Sequence, residues 1–179
     1  MPKDWEIDDI ADLTTGLGAA TVEKLSLILL RERELLDTLL YRLEVEQLVL
    51  ASGRTTHLMR AARDVEACLD TLRQTEVLRS VAADEAAEEV GVHRQCSLRE
   101  LAEAAAEPWR TILLEHREAF VEITRQVSEM AGTNRDLITS GWRSAQETLH
   151  ALDDAAESYS PDGTAVATTP TNRLLDRSL

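Results

Sequence analysis

Aromatic residues make up only 3% of this 179-residue chain, which also holds just 7 Gly, 4 Pro and 2 Cys. So few rings and glycines disfavour a sheet-built enzyme with glycine loops and a deep aromatic pocket. Cys68 and Cys96 stand in neither CxxC nor zinc-finger spacing, so neither a disulfide framework nor a metal site is expected. Cys68 reads instead as core filler on a helix. Positive charge is scarce too: 19 Lys and Arg against 33 Asp and Glu leave a formal charge of -14. That balance excludes a protein that coats nucleic acid or anionic lipid, because both need a basic face. No run of about 18 apolar residues is present to span a bilayer. The start, Met1-Pro2-Lys3-Asp4-Trp5-Glu6, lacks the basic-then-apolar order of a secretory signal. The expectation is a cytoplasmic protein with no nucleic-acid partner and no membrane insertion. GxGxxG, P-loop and GxSxG sequences are also missing.

What is abundant is Ala, Leu and Glu, within a 44% apolar composition, and this predicts one all-α domain. Residues 1–20 form an acidic arm with Trp5, Ile7, Ile10 and Leu13 among the acids, ending in Thr14-Thr15-Gly16-Leu17-Gly18. A first long helix is predicted over about 21–51, where Val22, Leu25, Leu29, Leu36, Leu39, Leu43 and Leu50 keep a three-then-four rhythm. A second, over about 55–90, carries Leu58, Ala62, Val65, Leu69 and Leu72 in the same rhythm and ends at Gly91. The short Ser52-Gly53-Arg54 link makes the two an antiparallel hairpin. A third long helix, about 97–157, opens on Ser97-Leu98-Arg99-Glu100, a capping-box pattern, with Pro108 marking a kink or a fresh first turn. The fold expected is therefore an elongated antiparallel hairpin and coiled-coil bundle of three long helices, followed by a turn and a mobile tail over 158–179.

Beyond Pro108 the seam reads Trp109, Leu113, His116, Phe120, Ile123, Val127, Met130, Asn134, Leu137 and Gly141, in four-three spacing. It then slips by one residue to Ala145, Leu149 and Leu152, as a stutter would produce. At 1.5 Å per residue the first helix spans roughly 46 Å, and the stretch from Pro108 to Glu157 roughly 75 Å if unbroken. A second copy of the protein, a partner helix, or a break near Gly132-Thr133 that folds the last segment back would each cover the difference. Residues 130, 134 and 137 keep phase across Gly132, which favours continuity. The overhanging face would comprise Leu137, Ile138, Gly141, Trp142, Ala145, Leu149 and Leu152, with apolar anchors at helical spacing and small residues for close approach. These are the requirements of a surface that binds an amphipathic helix. A standard interface would bury about 800 Å² per side. The competing reading is that the same stripe is intramolecular core.

An enzyme is poorly supported. Glu147-Thr148-Leu149-His150 matches the Glu-x-x-His spacing of di-iron bundles, but such sites need a second copy of the motif and two further Glu on facing helices, and the sequence has no second copy. His57, His93 and His150 read as solvated, and His116 on the seam as a core histidine. No cofactor and no metal are expected.

The end of the third helix, Asn134-Arg135-Asp136-Leu137-Ile138, then Trp142 and Leu149 to Leu152, is followed by Tyr159-Ser160-Pro161-Asp162-Gly163. This resembles the FlgN-type flagellar export chaperones, in which an Asn-rich helix leads into a Tyr-Gly-x-x-Gly-like turn. Leu35-Leu36, Glu44-Val45-Glu46-Gln47, Gly53 and Trp109 fit the family's loose layout over about 21–163. Arg135 and Ser160 stand where the family often has Gly, and Asn134 alone remains of its repeated Asn.

The resemblance implies a cytosolic chaperone that binds the C-terminal amphipathic helices of the hook-filament junction proteins (FlgK/FlgL-like). It would prevent their premature assembly and deliver them to the export gate. It places Asn134 with the stripe as cargo-binding, and gives Tyr159 the role of docking on the cytosolic domain of the gate. Read without the resemblance, the turn simply stops a helix. A cargo-free chain would have its stripe to shelter, which makes a homodimer one expected state. A structural coiled-coil adaptor without export role shares every helical feature, but leaves the Tyr159 to Gly163 turn unexplained. The closing Leu174-Leu175-Asp176-Arg177-Ser178-Leu179 offers an apolar end able to fold back over an empty groove.

Overall fold

The computed structural model describes the backbone of residues 5–157 and the side chains of residues 20–54 and 56–153. Four helices follow in order: α1 (Trp5–Ala51), α2 (Thr55–Val90), α3 (Leu98–Ala104) and α4 (Trp109–Glu157). No strand occurs among the described residues.

The expected third long helix is thus two helices. The capping box opens α3 as predicted: the Ser97 hydroxyl accepts from the Glu100 amide at 3.2 Å, and the Glu100 carboxylate accepts from the Ser97 amide at 2.7 Å. But α3 lasts only seven residues, because Ala105 turns extended with ψ 147°. Pro108 then supplies no N–H, and disfavours a helical conformation at the residue before it. The chain restarts as α4 at Trp109. At the other end, α1 begins at Trp5 rather than near Thr21, with Gly16 and Gly18 inside it. Each costs about 1 kcal/mol relative to Ala, too little to end a long helix. Gly132 likewise lies within α4, which runs without a break.

Turn chemistry sets the directions. Gly53 takes φ +66° between α1 and α2. Gly91 closes α2 at φ 80°, and the Val92 amide bonds back to the Ala87 carbonyl at 2.9 Å, a Schellman stop. Lys24 pairs with Glu85 at 2.6 Å, Glu32 with Arg79 at 2.8 Å, and the Cys68 thiol donates to the Leu35 carbonyl at 3.4 Å. The second helix therefore runs antiparallel to the first. The start of α4 runs parallel to α1: Ser26 Oγ meets His116 Nε2 at 3.1 Å, and Asn134 reaches the Leu43 carbonyl at 2.9 Å.

Two apolar clusters hold this bundle. One joins Val22, Leu25 and Leu29 of α1 to Ala82, Ala86 and Ala87 of α2, Leu101 of α3 and Leu113 of α4. The three alanines let the helices close around the larger leucines, which is how facing layers reach crystal-like density. The other joins Leu39 and Leu43 to Val65 and Cys68, with Val127, Met130 and Ala131 packed against it. The chain divides into two compact units, Met1–Arg135 and Asp136–Leu179; both clusters belong to the first.

Candidate functional site

The α1 seam continues the three-then-four count through residues 32 and 46, and both are glutamates. Glu32 approaches Arg79 Nε to 2.8 Å, out of line for a hydrogen bond, so the contact is an ion pair. Burial lifts the Glu32 carboxyl above its ordinary range; Arg79 draws it back and Glu76 pushes it further up. Beside this pair, Leu36, Phe120 and Val121 line a concavity of about 360 Å³, with Arg117 also on its wall. Glu46 is buried and accepts from Asn134 Nδ2 at 2.9 Å. Pattern reading passed over both glutamates by counting only the leucines around them, although their positions in the rhythm were visible.

Asn134 does not share the exposed stripe. It is 3% exposed, and its amide donates to both the Leu43 carbonyl and Glu46. It fastens α4 to the bundle. His116, the other polar seam residue, is buried against Ser26. Burial and then the Arg33 charge push its pKa down, with Glu115 opposing, so the ring is neutral near pH 7.

Within the second unit the surroundings reverse. Leu137 is half-buried, Gly141 and Ala145 are exposed, and Ile138, Trp142, Leu149 and Leu152 stand 48%, 63%, 61% and 61% exposed. Ile138, Trp142, Ala145, Leu149 and Leu152 recur at four-three spacing and therefore share one helix face. Leu137 and Gly141 lie one step to its side. Thr139 and Gln146 border the stripe on one flank, where Asp153 continues the same column, and Thr148 borders the other; Arg143 and Glu147 fall on the opposite side of the helix. A Cβ added at Gly141 would meet no atom within 4 Å, so the backbone there is open to close approach. Sheltering the four large side chains would contribute about 1.5–3 kcal/mol apiece before ordering costs. Tyr159 and the 159–163 turn lie outside the described residues.

Glu147 and His150 are both exposed. Among the described residues no group of three or more His, Cys, Asp or Glu is placed to hold a metal ion. None of the described helices is long and apolar enough to cross a membrane.

The family described as FlgN protein matches residues 21–167, a span that runs from the α1 seam through the stripe. No curated protein and no solved structure matches the chain. With most of its length inside that match, this chain belongs to the FlgN family, a family of flagellar chaperones.

Proposed function

We propose that the chain is a cytoplasmic chaperone of flagellar export that lays the C-terminal amphipathic helices of FlgK/FlgL-like hook-filament junction proteins along α4. The observation that carries this reading is the unsheltered stripe Ile138, Trp142, Ala145, Leu149 and Leu152, bordered by Leu137 and Gly141. A cargo helix with its own apolar face would remove both surfaces from water, which is why its bound form would neither self-associate nor assemble early. Asn134 contributes by anchoring the helix on which the stripe is carried. Delivery to the cytosolic domain of the export gate is assigned to Tyr159. Without cargo, two copies shelter the stripe in each other, an isologous pairing.

The test is Leu149→Asp with Leu152→Asp, assayed against a purified hook-filament junction protein. Both positions are exposed, so helicity should stay at wild-type level while cargo binding is lost. Undiminished affinity in the double variant would remove the stripe from the mechanism. Tyr159→Ala should keep cargo and lose the gate; unchanged binding of the loaded variant to the gate domain by calorimetry would refute that assignment.

A further inference from the structure

The seam of α4 does not by itself say where α4 should stop entering the bundle. Val127, Met130, Leu137 and Ile138 are all apolar and near the same heptad phase, and α1 offers Leu29, Leu36, Leu39 and Leu43 in a matching rhythm. Sliding α4 by one heptad, roughly 10 Å at 1.5 Å per residue, would exchange one set of apolar layers for another. It would draw Ile138 towards shelter while carrying Leu113 and Trp109 out of the first cluster, so apolar burial alone distinguishes the two registers poorly.

Two polar contacts oppose it. Ser26 meets His116 at a sequence separation of 90, and Leu43 meets Asn134 at 91. These contacts lie near opposite ends of the parallel α1–α4 pairing, yet the registers they report agree within one residue. A heptad slip would set Ile123 level with Ser26, and Gly141 level with Leu43 and Glu46. Buried Glu46 would lose its amide donor and His116 its hydroxyl. Both lock residues also carry a cost in the native register: His116 Nδ1 and Asn134 Oδ1 are buried with no partner. Leucine at either position would avoid that cost. Single buried polar residues on an apolar seam specify alignment at the expense of stability.

We propose that His116 and Asn134 are positioning residues that hold α4 in one register against α1, and so fix which α4 residues the bundle takes up. Its consequence for cargo rests on the docking reading above: in the locked register the stripe stays available, and a slipped chain withdraws its first anchors.

Distance measurement between spin labels separates the two ideas. Thr38→Cys and Ser128→Cys, both exposed positions separated by 90 residues, are labelled in full-length protein carrying Cys68→Ala and Cys96→Ser. The parent should give one narrow distance. His116→Leu with Asn134→Leu should add a second population displaced as a one-heptad slip requires. It should also weaken junction-protein binding at least tenfold. Asn134→Leu with Glu46→Leu, which removes both partners of the buried pair rather than leaving Glu46 without its donor, carries the test if the first double variant loses helicity. One unshifted distance overturns the lock whatever happens to cargo. A second distance with undiminished cargo affinity overturns the positioning role, provided Leu149→Asp with Leu152→Asp abolishes binding in parallel. If that variant also binds cargo normally, the docking reading has failed, and an unslipped register would still be needed to reject the lock.

Discussion

Leu113 and Leu149 are seam leucines of the same helix, written in the same heptad language, yet Leu113 is 0% exposed and Leu149 61%. Leu113 belongs to a cluster to which α1, α2 and α3 all contribute, and Leu149 belongs to neither described cluster. Periodicity therefore specifies a face, and only the supply of neighbours decides whether that face becomes core or contact surface. The first half of the helix contributes to folding stability, and the second half leaves large apolar side chains exposed.

The largest expected effect breaks that symmetry directly. Leu113→Ala should destabilise the fold by about 2–5 kcal/mol, as truncation of a fully buried leucine does when the cavity only partly relaxes. Leu149→Ala should change stability by less than about 0.5 kcal/mol, as at an exposed site. Urea denaturation of both variants gives the contrast. Equal losses would mean that the stripe is already packed within the chain, and the distinction between the two halves of α4 would disappear.

A smaller effect concerns the polar residue in the buried half. His116 is neutral in the fold because its pKa is depressed below that of an unfolded histidine, about 6.5. Above that pH both states are neutral and the residue has no linkage to folding. Below it the unfolded chain binds the proton first, so stability should fall as pH drops from about 6.5 towards the folded pKa. The slope is at most about 1.4 kcal/mol per pH unit for one proton. Arg33 and Glu115 are the charged groups acting on the ring, Arg33 adding to the depression and Glu115 opposing it. In His116→Leu this part of the pH dependence should vanish, while the exposed His57, His93 and His150 remain common to both proteins. Denaturation midpoints measured across pH 5–7.5 that move in parallel for the two proteins would show that His116 is not linked to the fold.

Sequence reading reached the helical class, the hairpin turn at Gly53, the Gly91 stop and the Ser97 capping box because each is governed by local chemistry: a positive φ, a side chain that accepts from an amide. It grouped Trp142, Leu149 and Leu152 on one face because they recur at a helical period. It joined α3 to α4 because Pro108 is compatible with either a kink or a restart, and the extended Ala105 that decides between them is set by packing in the first cluster. It grouped Asn134 with the cargo-binding stripe, because period alone does not reveal that Glu46, 88 positions away, lies opposite. The two seam glutamates, the buried asparagine and the Ser26–His116 contact all depend on partners from distant sequence. That dependence is the physical reason their pairings were not legible.

The smallest expected effect sharpens the comparison with two glycines of α4. Gly132, in the bundle half, is part-exposed, and Gly141, in the stripe half, is exposed; a Cβ would meet nothing within 4 Å at either position. Both are helical, so Gly132→Ala and Gly141→Ala should each stabilise by about 0.5–1 kcal/mol through helix propensity and a less disordered unfolded chain. Their consequences for cargo should differ. A methyl at 132 adds nothing to the stripe, and binding should be unchanged. A methyl at 141 stands beside Ile138 and Trp142, where a partner backbone would approach closely, and should weaken binding about threefold to tenfold while the melting temperature rises. Scanning calorimetry with titration of a junction protein reads both quantities on the same samples. Stabilisation of the two variants with equal, wild-type affinity would show that cargo does not come close to residue 141, and would confine the docking face to Trp142 and the leucines beyond it.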